Sequence, residues 1–155
     1  MKYLILILIG FFLNIFIYAE EITNFRPCSN SNCVVTNVHI NPCPEALDGN
    51  TCEVPLGENA SISFDYNPQF TSNTPKARFY GIQIIDLPYP GTDPDGCLYT
   101  NCPIQMNITQ KFKFEIEVPQ IIPKGDHLAK LKLWNDDENS ILEDRCCIIF
   151  DLKFV

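Results

Sequence analysis

Histidine is nearly missing from this chain, helical periodicity is missing altogether, and positive charge is outnumbered. The two histidines, His39 and His127, read as an outward strand position and a turn. Neither comes with a nucleophile and an orienting acid at a recognisable spacing, so acyl-transfer chemistry of the triad type finds little support. No histidine lies near the cysteines of Asp95-Gly96-Cys97-Leu98-Tyr99-Thr100-Asn101-Cys102-Pro103, which argues against zinc. Their spacing is too long for a redox Cys-x-x-Cys. Lysine and arginine number 11 against 19 acids, for a net charge of -8. So acidic a surface argues against nucleic acid and offers no attraction to anionic membranes. Beyond the first residues no apolar run could span a bilayer, and no repeat or low-complexity linker divides the chain.

The first residues are themselves informative. Lys2 precedes an apolar run from Tyr3 to Ala19, broken only by Gly10 and Asn14, and Glu20-Glu21 follow. This reads as a signal peptide, residues 1–19, cut after Ala19. An uncleaved signal anchor is the competing reading, because the run nearly reaches transmembrane length. Residues 20–155 then form one domain of roughly 136 residues with a net charge of about -9.

All eight cysteines follow the leader. An even count in an exported chain reads as disulfides, with about 105 pairings open to eight cysteines. Short loops make Cys43 with Cys52, and Cys97 with Cys102, the local candidates. Asp93-Pro94-Asp95-Gly96 is a turn leading into the second of these.

Period-two alternation dominates what lies between. Ile62, Phe64 and Tyr66 alternate with Ser61, Ser63 and Asp65; Ile108, Phe112, Phe114, Ile116 and Val118 alternate with Lys111, Lys113, Glu115 and Glu117. Ala129, Leu131 and Leu133 oppose Lys130 and Lys132, and Ile148, Phe150, Leu152 and Phe154 end the chain in the same rhythm. Val34, Val38 and Ile40 mark a first strand, and residues 77–85 a less regular one. One wet and one dry face per strand, over roughly seven segments, predicts an all-β, immunoglobulin-like sandwich of two antiparallel sheets. Pro123-Lys124-Gly125-Asp126 and residues 135–139 supply further turns.

Within that frame little suggests catalysis. Glu115 and Glu117 share a face with Lys111 and Lys113 and read as a solvated charged surface. Asp136, Asp137 and Glu138 lack the glycine and ligand spacing of a calcium loop and read as a hairpin turn. The chain is therefore expected to be no enzyme and to need no metal or cofactor. Asn59-Ala60-Ser61 and Asn107-Ile108-Thr109 are glycosylation acceptors of outward parity. The inward surface carries Phe64, Tyr66, Phe79, Tyr80, Phe112, Phe114, Phe150 and Phe154. That aromatic bulk fits either a filled core or faces that leave an apolar cavity, and periodicity does not choose between them.

The order of motifs adds a different kind of information. Cys28, Asn41-Pro42-Cys43-Pro44, Cys52, Pro88-Tyr89-Pro90, Asp93 to Cys97, Cys102-Pro103-Ile104-Gln105, Val118-Pro119, Asp136-Asp137 and Cys147 follow one another from about Phe25 to the C-terminus. This series resembles the ML lipid-recognition domain family, with its soluble Niemann–Pick type C sterol carriers and group-two mite allergens.

The resemblance implies a lipid cavity between the two sheets and three bridges, Cys28–Cys147, Cys43–Cys52 and Cys97–Cys102. Cys33 and Cys146 are left as a fourth bridge or as free thiols. It implies that Tyr89, with Leu87 and Pro88, guards the cavity mouth, and that Val118, Pro119 and Ile121 guard the other side. Lipid contacts are expected from Phe64 and Tyr66, from Ile82 and Ile84, from Phe114 and Ile116, and from Leu131, Leu133, Ile148 and Phe150. The Cys97–Cys102 staple is expected to brace one lip of the mouth. The implied function is a secreted or endosomal–lysosomal carrier that binds and transfers a sterol. A fatty-acid carrier and a lipid-sensing immune adaptor are the alternatives. The expected partners are the apolar lipid and a membrane sterol transporter or receptor, with the carrier itself a monomer.

Overall fold

The computed structural model describes residues 19–82 and 84–155; the expected leader lies outside these residues apart from Ala19. In chain order the first strands are β1 (Glu20–Glu21), β2 (Phe25–Pro27), β3 (Cys33–Asn41), β4 (Cys52–Val54) and β5 (Asn59–Pro68). They are followed by β6 (Lys76–Ile82), β7 (Asp86–Pro88), β8 (Gln110–Glu117), β9 (Gly125–Trp134) and β10 (Arg145–Phe154). One sheet has the order β1-β3-β5-β8, and the other β2-β10-β9-β6-β7 with β4 also on β10. All pairs are antiparallel except β4 with β10. The expected immunoglobulin-like sandwich is what the chain forms.

Alternation dictates which side chains meet between the sheets. Ile62, Phe64 and Tyr66 of β5 and Phe112 and Phe114 of β8 face Ala129, Leu131 and Leu133 of β9 and Ile148, Phe150 and Leu152 of β10, all buried. Phe64 stacks on Phe112 with centroids 4.9 Å apart, and Phe79 on Phe114 at 5.8 Å. Opposite parity sends Lys111, Lys113 and Glu115 to solvent, where Lys111 pairs with Asp65 at 3.2 Å.

Four expectations change. Val34 is exposed rather than inward, because the β3–β5 register slips between Thr36 and His39. Asn37 there has φ 52° and its Nδ2 donates to Asp65 Oδ2 at 2.8 Å; asparagine tolerates this left-handed geometry. The bulge reverses parity, so Cys33 and Val35 turn inward ahead of it. Ile108 is exposed in the turn before β8, so it does not join the β8 inner face. Tyr80 is half-buried on the outer face, opposite Lys130, since its neighbour Phe79 takes the inner one. His127 lies in β9 opposite Leu152, not in a turn.

All four disulfides are present, Cys33–Cys146 included. Cys33 on β3 and Cys146 on β10 belong to different sheets, so their bond ties the two layers together across the core. Cys28–Cys147 ties the segment after β2 to β10 in the same sheet. The cis peptides at Asn41-Pro42 and Cys102-Pro103 flank two of the bridges. The acceptor residues Asn59 and Asn107 are both exposed, the latter in a turn at φ 62° instead of on a strand.

Candidate functional site

The two sheets do not pack equally along their length. Where β5 reaches Tyr66 and β9 reaches Leu133, Phe64, Tyr66, Phe112, Leu131, Leu133 and Ile148 are almost fully buried. At the opposite end, where β8 runs into Val118 and β10 into Phe154, the facing side chains leave a cavity of about 50 Å³. Ala60 and Val118 are small apolar residues on its lining.

Ile62, Ile116 and Phe114 supply one wall of this cavity, and Phe79, Phe150, Leu152 and Phe154 the other. Ile40 and Val54 close one side, with Tyr89 and Pro119 also on the lining. No charged side chain lines it, and Ser61 and Tyr89 are its hydroxyl-bearing residues. The Tyr89 ring packs edge-on against Phe79 at 4.7 Å, its backbone N–H donates to Phe79 O at 3.0 Å, and burial pushes its phenol up to about 12. Gly81 makes room for it: a Cβ there would stand 3.4 Å from the ring. Such a site can hold an apolar guest by shape and exclusion of water.

Outside Tyr89 lies a shallower groove of about 130 Å³, formed by Gly81, Leu87, Pro88, Pro90, Ile122, Pro123 and His127. Tyr89 lines both spaces and separates them. His127 Nε2 lies 2.7 Å from Pro123 O, and its ring meets Phe154 edge-on at 4.9 Å.

The residues expected from the sequence therefore fall into groups. Tyr89, Phe114, Ile116, Val118, Pro119 and Phe150 stand on the cavity wall. Phe64, Tyr66, Leu131, Leu133 and Ile148 share the inner faces but lie in the packed end. Leu87 and Pro88 line the outer groove. Ile82 is half-buried at the end of β6, off both linings, while Ile84 and Ile121 are 101% and 82% exposed. Ile40, Val54, Phe79, Leu152 and Phe154 were not among the expected contacts. Leu152 and Phe154 continue the parity of Phe150, which was the available signal. Val54 belongs to a strand too short to show a period.

The Cys97–Cys102 segment has a different place from the one expected. Gly96 N–H donates to Pro75 O and Ala77 N–H to Pro94 O, both at 2.9 Å, while Lys113 N–H donates to Tyr99 O at 2.8 Å. The segment thus spans β6 and β8 and closes that side of the sandwich at the packed end. Gly96 is held so close that a Cβ would stand 2.8 Å from Pro75 O. Neither cysteine lines the cavity. The connection to it runs through Tyr99, whose ring packs on Phe114 at 5.2 Å. Among the described residues no group of three histidine, cysteine or acidic side chains converges on a metal-sized space.

Comparison with known proteins places this geometry in context. The family model described as the ML domain matches residues 23–154. The MD-2-related lipid-recognition protein of Manduca sexta is 34% identical over 138 residues, 87% of each chain. Mite group 2 allergen Gly d 2.02 of Glycyphagus domesticus is 31% identical over 104 residues, 64% of this chain and 76% of the allergen. The solved Niemann-Pick type C2 protein from Japanese carpenter ant superposes with a TM-score of 0.70 at 17% identity, over 84% of this chain and 98% of that one. At that identity the likeness is one of fold.

Proposed function

Since the chain belongs to the ML domain family, we propose that it is a non-enzymatic lipid carrier whose cargo is a sterol, held between the sheets and passed on intact. The observation that carries this reading is the uncharged, aromatic-walled cavity at the end away from the Cys33–Cys146 bond. Small-molecule sites run to roughly 300–1,000 Å³, well above this cavity of about 50 Å³. Loading requires the sheets to part at this end. Swinging Tyr89 aside would join the cavity to the outer groove and give the cargo a way in. Burying roughly 300 Å² of apolar ligand at about 25 cal/mol per Å² supplies about 7 kcal/mol before association and expansion costs. Few polar groups line the walls, so selection rests on shape.

Four disulfides suit an oxidising compartment, extracellular or endosomal–lysosomal. Release would go to a membrane transporter or receptor. We also propose glycans at Asn59 and Asn107, each exposed and clear of the cavity lining. A fatty acid is the second reading, because one narrow acyl chain would need less widening of this seam than fused rings. Mass spectrometry of an organic extract of the natively secreted protein tests both. A stoichiometric sterol supports the main reading and a fatty acid the second. Protein that is consistently empty, and binds neither fluorescent sterol nor fluorescent fatty acid, overturns the carrier function.

A further inference from the structure

The net charge of -8 conceals a separation of charge. Strand register places three rows on the outer face of the second sheet: Lys76–Trp134–Arg145, Arg78–Lys132–Cys147, and Tyr80–Lys130–Ile149–Arg26. Strands about 4.8 Å apart and a two-residue step of about 6.8 Å put the six cations within a patch of roughly 15 by 14 Å. The stems of Lys76, Arg78, Lys130, Lys132 and Arg145 are half-buried along the sheet, so the charges are held in place. Lys132 Nζ lies 4.7 Å over the Trp134 ring.

These cations are largely unneutralised. Among the described residues the ion pairs engage Lys111, Lys113, Lys130 and Lys153, and of the patch only Lys130 is paired, to Asp86. Arg145 Nε donates to Asn30 O at 3.0 Å, whereas Arg78 Nε is buried with no partner. Burial, then the nearby Arg145 and Lys130, hold the Lys132 ammonium below its ordinary pKa. With 19 acids in the chain, carboxylates were not scarce; they stand around the patch rather than in it. Asp86 and Asp151 lie toward one end of the rows, Asp136, Asp137, Glu138, Glu143 and Asp144 occupy the β9–β10 turn at the other, and Asp95 forms a β-bridge to Lys76 at the β6 edge.

A ring of acids around a compact basic field repels a broad anionic plane but admits a narrow chain. A linear polyanion can cross between these acids along the middle row, from Arg78 past Lys132 toward β2. In an oxidising compartment, the chains that carry strong acid groups at close, regular spacing are sulfated polysaccharides. We propose that the outer face of β2, β10, β9 and β6 is a docking surface for a sulfated polysaccharide. Sulfates take the place that carboxylates leave open beside Arg78, Lys132 and Arg145, and sugar rings meet Trp134. This surface is independent of the lipid cavity, which lies on the opposite face of the same strands.

The test uses full-length secreted protein and heparin. It should be retained on immobilised heparin at physiological salt despite its net charge, and Arg78→Glu/Lys132→Glu should weaken binding by about thirtyfold or more. The slope of log Kd against log salt should fall by about two. Arg78→Gln/Lys132→Gln, which only neutralises the pair, should weaken it about five- to tenfold, with near-ultraviolet circular dichroism reporting the fold. Lys111→Glu/Lys113→Glu makes the same charge change on the other sheet and should leave heparin binding unchanged. Failure to bind heparin at about 50 mM salt, or equal loss in the Lys111/Lys113 variant, overturns the proposal. So does preferential binding to phosphatidylserine vesicles that the Arg78/Lys132 variant abolishes.

Discussion

The two ends of this sandwich are built from the same strands yet held by different forces. At one end Cys33–Cys146 joins the sheets through covalent bonds, and Tyr66 Oη meets Thr100 Oγ1 at 2.8 Å in a chain that continues to Lys111 O. At the other, Ile62, Ile116, Phe150, Leu152 and Phe154 face each other across a small void. No bridge among the described residues joins β5 or β8 to the opposite sheet there. Cys33–Cys146 fixes the spacing of the layers at the first end. At the second, Cys43–Cys52 ties the segment after β3 to β4 along one edge, and between β5–β8 and β10 the contact is apolar packing. The difference teaches where a small sandwich built on four bridges concentrates its crosslinks between the main layers and where it relies on packing.

Removing the staple should produce the largest change. Cys33→Ala/Cys146→Ala deletes a crosslink between residues 113 apart, but Cys28–Cys147 still closes nearly the same loop. Only a loop of about six residues is released, so denaturant unfolding should show a cost of about 2 kcal/mol. Affinity for a fluorescent sterol, measured under conditions where the variant is folded, should stay within about twofold. A large loss of affinity at full stability would show that the two ends are not separable. Filling the void is the converse experiment. Val118→Phe adds volume comparable to the cavity, so lipid affinity should fall about tenfold or more while stability changes by less than about 1 kcal/mol. Unchanged affinity would remove the cavity from the mechanism.

Much of this division of labour was beyond the reach of the sequence, for definable reasons. Alternation at Phe112, Phe114 and Ile116, and again from Ile148 to Phe154, identified the inner faces. It says which face a side chain takes, not how far along the sandwich it lies, so Leu131, Leu133 and Ile148 were grouped with Ile116 and Val118. The fourth bridge was ambiguous because its geometry depends on the bulge at Asn37. Without that slip Cys33 would have outward parity and could not meet Cys146 across the core. Ile84 and Ile121 are apolar residues in turns, where parity carries no information about burial. The basic face of the second sheet was hidden for another reason. Arg26, Arg78, Lys132 and Arg145 are far apart in the chain and become neighbours only through strand register.

Smaller effects sharpen the contrast at the stapled end. Tyr66→Phe removes one buried hydroxyl but leaves Thr100 bonded to Lys111 O, so chemical denaturation should show a loss of about 1 kcal/mol. A loss several times larger would mean that Tyr66 organises the whole end. Acid should act on the turn beside it. Asp137 accepts from Thr74 Oγ1 at 2.7 Å and from the N–H groups of Asn73 and Thr74. The Thr74 hydroxyl first, and the backbone donors with it, hold its carboxyl below its ordinary value. A depressed carboxyl contributes above the unfolded-state pKa and loses that contribution as pH falls through the folded one. The Asn73 and Thr74 amide shifts should therefore titrate together with a midpoint below 3.8, the ordinary value. A midpoint at or above it would mean that the turn is not anchored through Asp137.

The most direct measurement is the pattern of intermolecular nuclear Overhauser effects from a bound sterol to methyl-labelled protein. Contacts should reach the methyls of Ile62, Ile116, Val118 and Leu152, which line the cavity, and should be missing at Leu131, Leu133 and Ile148. A ligand seated against Leu131, Leu133 and Ile148, or one that touches no methyl between the sheets, would contradict the assignment of cargo to the cavity end.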